Sequence, residues 1–460
     1  MPNLARVLLI VPFALVSLAA GERDAALIEA AKTQNHQMVA ALVEGGADVD
    51  VRQGDGATAL HWAAYWDDQV MADLLITAKA DVNASNDLGA TALWLASRNR
   101  NPTMIATLLD AGANPNATLA TGETPLMQAS LAGDVASVRA LLAHSANVNA
   151  HETSRDQTAL MWAVSNGHTG VVRALLEAGA DVHARSHASQ RMVSTAARVG
   201  VVGGTVYDRD GVFEVGAGGY TALLLAARQG QLESARLLVA AGANVNDAST
   251  SGTSALVVAA HSGHTGLGAH AAVGTLLLEH GADPDAAGAG YTATHAAVLT
   301  GDLELVKALL AHGADANLPL LKGTPVRRFS TDFALAKSLI GATPLWLAAK
   351  FGESDIMRAL LDHGAEPQFA MTDGTTPLMI AISAGAGQDR RDRMFIKPEV
   401  MAKAREREAP LTLEAVTVLV DAGADVNAVS ESGNTALSLA TRRRLDDVVQ
   451  LLADHGATPR

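Results

Sequence analysis

DQTALMWAVSNGHTGVVRALLEAGADVHA, residues Asp156 to Ala184, holds the pattern on which the fold depends. Thr158 is placed to cap a helix, its hydroxyl satisfying a backbone N–H that would otherwise be orphaned. The run Ala159 to Asn166 then buries Leu160, Trp162 and Ala163, and Gly167 breaks it. A second helix starts near Thr169, with Val171, Val172, Leu175 and Leu176 at helical spacing. Gly179 supplies the left-handed residue that ends it. Asp181 and its successors suit a tight turn. Two such short helices cannot bury both their faces alone, so the stretch needs neighbours of its own kind.

Those neighbours are in the chain. The same cap recurs at Thr58, Thr91, Thr124, Thr158, Thr221, Ser254, Thr292, Thr343, Thr376 and Thr435. Successive spacings are 33, 33, 34, 63, 33, 38, 51, 33 and 59, a base step of 33 lengthened where residues are inserted. The turn recurs as well, at Gly46-Ala47-Asp48, Gly112-Ala113-Asn114, Gly242-Ala243-Asn244, Gly281-Ala282-Asp283, Gly313-Ala314-Asp315 and Gly423-Ala424-Asp425. A capped helix–turn–helix with this period is one particular repeat architecture. The chain resembles the ankyrin-repeat family. The family's T-P-L-H signature is carried by Thr58-Ala59-Leu60-His61, Thr124-Pro125-Leu126-Met127, Thr343-Pro344-Leu345-Trp346 and Thr376-Pro377-Leu378-Met379, and its G-A-D-V-N signature by Gly423 to Asn427. Only His61 and His295 keep the family's histidine, which implies a weaker local hydrogen-bond network in the other repeats. The fold implied is an all-α repeat solenoid of stacked ankyrin-type helix–turn–helix units with β-hairpin fingers.

The expected organisation is a signal peptide over 1–21 and a solenoid over 22–460, with about eleven units counting both caps. Glu22 to Val51 reads as the N-terminal capping repeat, and Gly433 to Ala457, with Arg442, Arg443 and Arg444, as the C-terminal one. Insertions fall near 186–218, 319–340 and 386–411. The first should lengthen a hairpin finger. Repeat seven carries extra residues around Gly266 to Ala272, placed by the spacing between its two helices. In the third insertion, Glu399 to Glu408 suits an exposed helix.

The signal reading rests on Arg6, the only charge before Glu22, on the apolar run Val7 to Leu18, and on small residues at Ser17 to Gly21. It implies a bacterial-type exported protein, periplasmic or secreted, with no stable membrane span once the signal is cleaved. The 460 residues carry a net charge of −14, which speaks against a nucleic-acid partner. Cysteine is absent, so neither disulfides nor thiol chemistry enter. No nucleophile elbow, P-loop or His-Glu-x-x-His motif is present. His261, His264 and His270 lack the carboxylate or Cys that would complete a metal set. Catalytic, cofactor and metal sites are therefore expected to be absent, and the partner is expected to be a protein bound by a monomer.

Trp62 and Trp162 share a position filled elsewhere by Leu95, Leu225 and Leu347, and read as core. Tyr65, Trp66, Lys350 and Phe351 occupy the two positions that vary most between repeats. The resemblance implies that these line a concave binding face, with Arg98 and Arg228 as further candidate contacts; the other account is that the aromatics pack against neighbouring repeats or the inserted loops. Tyr220 and Tyr291 precede their caps and read as packing residues. Arg327 and Arg328, with Phe329, Phe333 and Lys337, form a basic stretch in the second insertion. Two accounts of it stand: a loop laid over the solenoid, or a contact patch for an acidic partner. The function expected is protein–protein interaction. The alternatives are a scaffold protein of the cell envelope, or an enzyme with its chemistry in the insertions.

Overall fold

A computed structural model describes residues 20–194, 212–262, 267–322, 339–384 and 398–459. They form an all-helical repeat solenoid. Its helices come in eleven pairs, divided between two compact units. The first unit, which runs through His187 and takes in Ala240–Ala243, holds five pairs: α1 (Ala20–Lys32) with α2 (His36–Glu44), α3 (Ala59–Trp66) with α4 (Gln69–Thr77), α5 (Ala92–Asn99) with α6 (Pro102–Asp110), α7 (Pro125–Ala132) with α8 (Val135–Ala143), and α9 (Ala159–Ser165) with α10 (Thr169–Glu177). The second unit, Ala188–Val239 with Asn244 onward, opens on the strands β1 (Ala188–Ser194) and β2 (Val212–Gly218). Its six pairs are α11 (Ala222–Gln229) with α12 (Leu232–Ala240), α13 (Ala255–Ser262) with α14 (Leu267–Glu279), α15 (Ala293–Thr300) with α16 (Leu303–Ala311), α17 (Pro344–Phe351) with α18 (Ser354–Asp362), α19 (Pro377–Ala384) with α20 (Pro398–Asp421), and α21 (Ala436–Arg443) with α22 (Asp446–Asp454).

Local chemistry starts each first helix. The N–H three residues on donates to the cap hydroxyl, from Met127 to Thr124 at 3.2 Å, Met161 to Thr158 at 3.3 Å and Trp346 to Thr343 at 3.3 Å. Several second helices use a carboxylate or amide instead: Asp68 accepts from the Met71 N–H at 3.1 Å and Asp302 from the Leu305 N–H at 3.0 Å. Within each compact unit, first helices lie on first helices and second on second, as α3 on α5 on α7 and α6 on α8 on α10. Leu93, Leu126 and Leu160 are buried between the layers. Each such side chain stabilises the stack by about 1.5–3 kcal/mol.

Successive turns are stitched by amides. The Asn83 side chain accepts the Asn114 N–H at 2.7 Å and donates to the Gly112 carbonyl at 3.0 Å. Asn116 does the same for Asn147 and Ser145, at 2.7 and 3.1 Å, and Asn149 for Asp181 and Gly179, at 2.8 and 3.3 Å. In the second unit, Asn246, Asn317 and Asn427 repeat the arrangement. An amide carries both an acceptor and a donor on one planar group, so it can bridge an N–H and a C=O of the next turn. Asp50, in the same place, accepts the Asp81 N–H at 2.7 Å; an ionised carboxylate has nothing to donate.

The insertions differ in kind. Strands β1 and β2 pair antiparallel, from Ala188 opposite Gly218 to Ser194 opposite Val212. Ordinary fingers are closed by single bridges, such as Ser85 with Thr91. The extra residues of repeat seven do not all sit in a turn, as the spacing suggested. Helix α14 instead starts at Leu267 and runs to 13 residues, against 9 in its counterparts α12 and α16. Residues of that insertion at 263–266 lie outside the described set, as do 323–338 and 385–397. Glu399 to Glu408 is helical and continuous with the rest of α20, which contains Pro410.

Candidate interaction surface

Seven residues beyond each cap, at the end of the first helix, lies one recurring slot. In the first compact unit it holds Lys32, Tyr65, Arg98, Leu131 and Ser165. In the second it holds Arg228, His261, Leu299, Lys350, Ser383 and Arg442. Five of these eleven are Lys or Arg and none is acidic, in a chain with 48 acidic residues to 34 basic ones. The charge of the slot is thus opposite to the net charge of the molecule that carries it.

Repeat two gives the slot its most developed environment. Tyr65 and Trp66 are 42% and 44% exposed. The Tyr65 ring meets Trp66 edge-on at 4.9 Å and Trp62 at 5.7 Å, and Trp62 stacks on Trp66 at 6.5 Å and 28°. Ring pairs of this geometry contribute about 0.5–1.5 kcal/mol beyond burial, so the three hold one another in place. The Lys32 ammonium lies 5.6 Å from the Trp62 ring, and the Arg98 guanidinium 5.7 Å from Tyr65. Lys32 also reaches Glu29 at 3.8 Å. The backbone beneath is fixed from repeat three, whose Asn99 amide donates to the Ala64 and Tyr65 carbonyls at 2.8 and 3.0 Å. Helix α3 ends on Asp67, left-handed at φ 60°, whose carboxylate accepts the Asn101 amide at 2.6 Å.

Trp62 is half-buried rather than core. Its indole N–H donates to Gln53 at 3.3 Å, on the finger side of the repeat. Trp162 is half-buried too, although the apolar residues around it in sequence are buried. Its position tolerates Leu or Trp because it lies where the inter-helix core meets the open face.

Residues 8–86, 27–119, 93–186, 205–286, 223–319 and 325–389 match a family model described as ankyrin repeats (3 copies). The chain belongs to the ankyrin-repeat family. Among curated proteins it is similar to mouse ankyrin repeat and SOCS box protein 16, at 28% identity over 226 residues, covering 46% of this chain and 45% of that one. A putative ankyrin repeat-containing protein of Treponema pallidum is 41% identical over 116 residues, covering 24% of this chain and 39% of the relative. The E3 ubiquitin-protein ligase KEG of Arabidopsis thaliana is 28% identical over 174 residues, 36% of this chain and 10% of the ligase. The chain therefore spans less than half the length of each of these relatives.

The family's histidine does specific work in the two ankyrin repeats that retain it. Nδ1 of His61 accepts the Thr58 N–H at 3.1 Å, which leaves Nε2 as the donor to the Ala90 carbonyl at 2.8 Å. His295 repeats this with Thr292 and with Ala342, at 3.3 and 3.4 Å. Burial holds both below the usual histidine range, His295 at about 4. Repeats without His are not all without the bond: the Trp346 indole N–H reaches the Thr375 carbonyl at 3.1 Å, and Ser438 closes a reciprocal cap with Thr435.

The other expected contacts are dispersed. Arg228 is exposed; Lys350 is partly exposed, 5.8 Å from the ring of buried Trp346; Phe351 is half-buried. Arg327, Arg328, Phe329, Phe333 and Lys337 lie outside the described residues. Tyr291 is buried, 6.0 Å from His261, and burial pushes its hydroxyl up to about 12. His270 is buried against the Arg228 carbonyl at 3.3 Å, and His264 is outside the described set. Among the described residues no group of His, Asp and Glu is arranged to hold a metal ion, and no helix is long and apolar enough to cross a membrane. Lys32 and Leu131, at the same slot, were not among the contacts expected from the sequence. Counting 33 residues to either side of Tyr65 and Arg98 finds both.

Proposed function

We propose that this chain is an exported, non-catalytic ankyrin-repeat protein that holds a protein partner on the face formed by the slot residues and the adjoining fingers. The family's general role in protein–protein interaction supports the class of function. One observation carries the choice of surface: Tyr65 and Trp66 are large rings left 42% and 44% exposed, yet locked by Trp62, Lys32 and Arg98. Rigid exposed aromatics beside Arg are what interface hot spots are made of, because they bury much area and lose little conformational freedom. The basic character of Arg228, Lys350 and Arg442 extends the same reading to the second unit. Export is supported by Arg6, the apolar run Val7 to Leu18 and the small residues that follow.

The test is a comparison of affinities. A partner captured from the exported fraction by the intact chain is titrated against Tyr65→Ala/Trp66→Ala. We expect binding to weaken by at least about 2 kcal/mol, roughly thirtyfold, with the melting temperature lowered by only a few degrees. Unchanged affinity removes this face from the interaction. A variant that binds normally but melts far earlier makes the pair a packing element.

A further inference from the structure

We infer that the slot residues of repeats one to four recognise an extended acidic peptide, in which two carboxylates about four residues apart flank an apolar side chain. This rests on the protein-binding reading above and adds the chemistry of the partner. Lys32, Tyr65 and Arg98 stand 33 residues apart, and Leu131 follows at the same step, 40% exposed. Adjacent repeats pack first helix on first helix, at a separation of about 8–10 Å. Both side chains lean inward over the rings, 5.6 Å from Lys32 to Trp62, 5.7 Å from Trp62 to Tyr65 and 5.7 Å from Tyr65 to Arg98, so the two cations lie at most about 17 Å apart, with the aromatic cluster between them. An extended chain advances about 3.3 Å per residue and alternate side chains share a face, so two carboxylates about four residues apart, with the reach of their side chains, cover that span and leave the residue midway facing the rings.

Both cations are held by their rings without being neutralised. Arg98 lies against the Tyr65 ring, and a guanidinium stacked on a ring keeps its N–H edge for a carboxylate. Glu29, 70% exposed, is the only carboxylate bonded to Lys32 among the described residues, and at 3.8 Å the pair is weak. Asp67 and Asp68, the acids at the end of the same helix, are already occupied by Asn101 and His36. A single-stranded nucleic acid would also find rings and cations here. It would bring a continuous run of phosphates past the finger, where Asp55 is bonded through Gln53 to Trp62. Two discrete carboxylates avoid that repulsion, and Leu131 suits an apolar residue beyond the second.

The probe is a fluorescein-labelled ten-residue peptide with two glutamates four positions apart and a leucine midway, so that all three share one face of an extended chain, titrated by anisotropy against the full chain. We expect it to bind at least about tenfold tighter than the same peptide with lysines for the glutamates, and to weaken with added salt. Lys32→Glu/Arg98→Glu should reverse the preference, and Lys32→Gln/Arg98→Gln should abolish it. Both pairs are surface changes, and the melting temperature reports whether each variant is folded. Equal binding of the two peptides, or binding of neither, overturns the inference. So does an oligouridylate of matching length that binds more tightly than the acidic peptide. Any of these failures leaves untouched the loss of partner affinity expected of Tyr65→Ala/Trp66→Ala, so the two proposals fail separately.

Discussion

Burial lowers the His295 pKa to about 4, the Ala342 and Leu318 carbonyls offsetting it only in part, so the ring is neutral above that pH. The unfolded chain protonates it near 6.5, so the unfolded state binds more protons between those values. The stability it contributes is complete above about 6.5 and is lost as pH falls toward 4. His295→Met removes the bonds to Thr292 and Ala342 and should cost about 1–2 kcal/mol at pH 7.5. The difference from the parent should shrink, or reverse, when urea melts are repeated near pH 4.5. A constant difference at both pH values would mean the imidazole is not buried neutral. Glycines offer a second test at this scale. Gly252 has φ 78°, and a Cβ there would meet the Gly288 carbonyl oxygen at 2.5 Å. Gly364 has φ 84° but open space around it. Gly364→Ala should cost about 1–2 kcal/mol, the left-handed penalty alone. Gly252→Ala should cost more, because two fingers of backbone must separate; equal melting of the two variants would refute the close approach.

At the scale of the element, two devices recur and can be removed singly. Thr343 caps α17 through the Trp346 N–H at 3.3 Å, and Thr343→Val keeps its shape while deleting that bond. A loss of about 1 kcal/mol is expected in chemical denaturation. The amide bridge is the second device. Asn116→Asp preserves the acceptor for the Asn147 N–H and deletes the donor to Ser145. Asn116→Ala deletes both. The alanine variant should therefore be the less stable at neutral pH, each by no more than about 1–2 kcal/mol because the turn is exposed. Amide exchange should quicken at Asn147 in the alanine variant and much less in the aspartate one. Identical exchange in the two would mean the bridge holds no turn in place.

Across the whole chain, charge is sorted by position. Acidic residues crowd the turns and second helices, as at Asp48, Asp50, Asp81, Asp283, Asp285 and Asp315, while the slot at the ends of the first helices carries none. Asp285 sits among its like, and burial with the charges of Asp315 and Asp283 raises its pKa, offset in part by the Asp315 N–H. A net charge of −14 keeps molecules apart at neutral pH. The proposal of export belongs to this scale as well. Mass spectrometry of the protein recovered from outside the cytoplasm should find a mature N-terminus between Ala20 and Glu22. An intact Met1 on a cytoplasmic protein would refute it.

The sequence alone determined whatever is decided within a few residues or within one period. The caps at Thr58 to Thr435, the left-handed Gly179, the helix boundaries around Ala159 and Thr169, and the step of 33 are all local, since each depends on bonds that reach three or four residues. Tyr65 and Trp66 were legible for the same reason, as variable positions inside a constant frame. Tertiary structure decided what depends on how one repeat lies on the next. Lys32 and Arg98 become the flanks of a ring cluster only when α1, α3 and α5 are stacked. Trp62 and Trp162 look like core by analogy with Leu225 and Leu347, yet lie half-buried, as Leu95 does, because the position is at the margin of the layer between helices. The extra residues of repeat seven went into a helix turn because propensity and packing, rather than spacing, choose between helix and loop. An asparagine in a Gly-Ala-Asp-Val-Asn turn is locally just a turn residue; only the neighbouring turn, 31 residues on, supplies the N–H and C=O that make it a bridge.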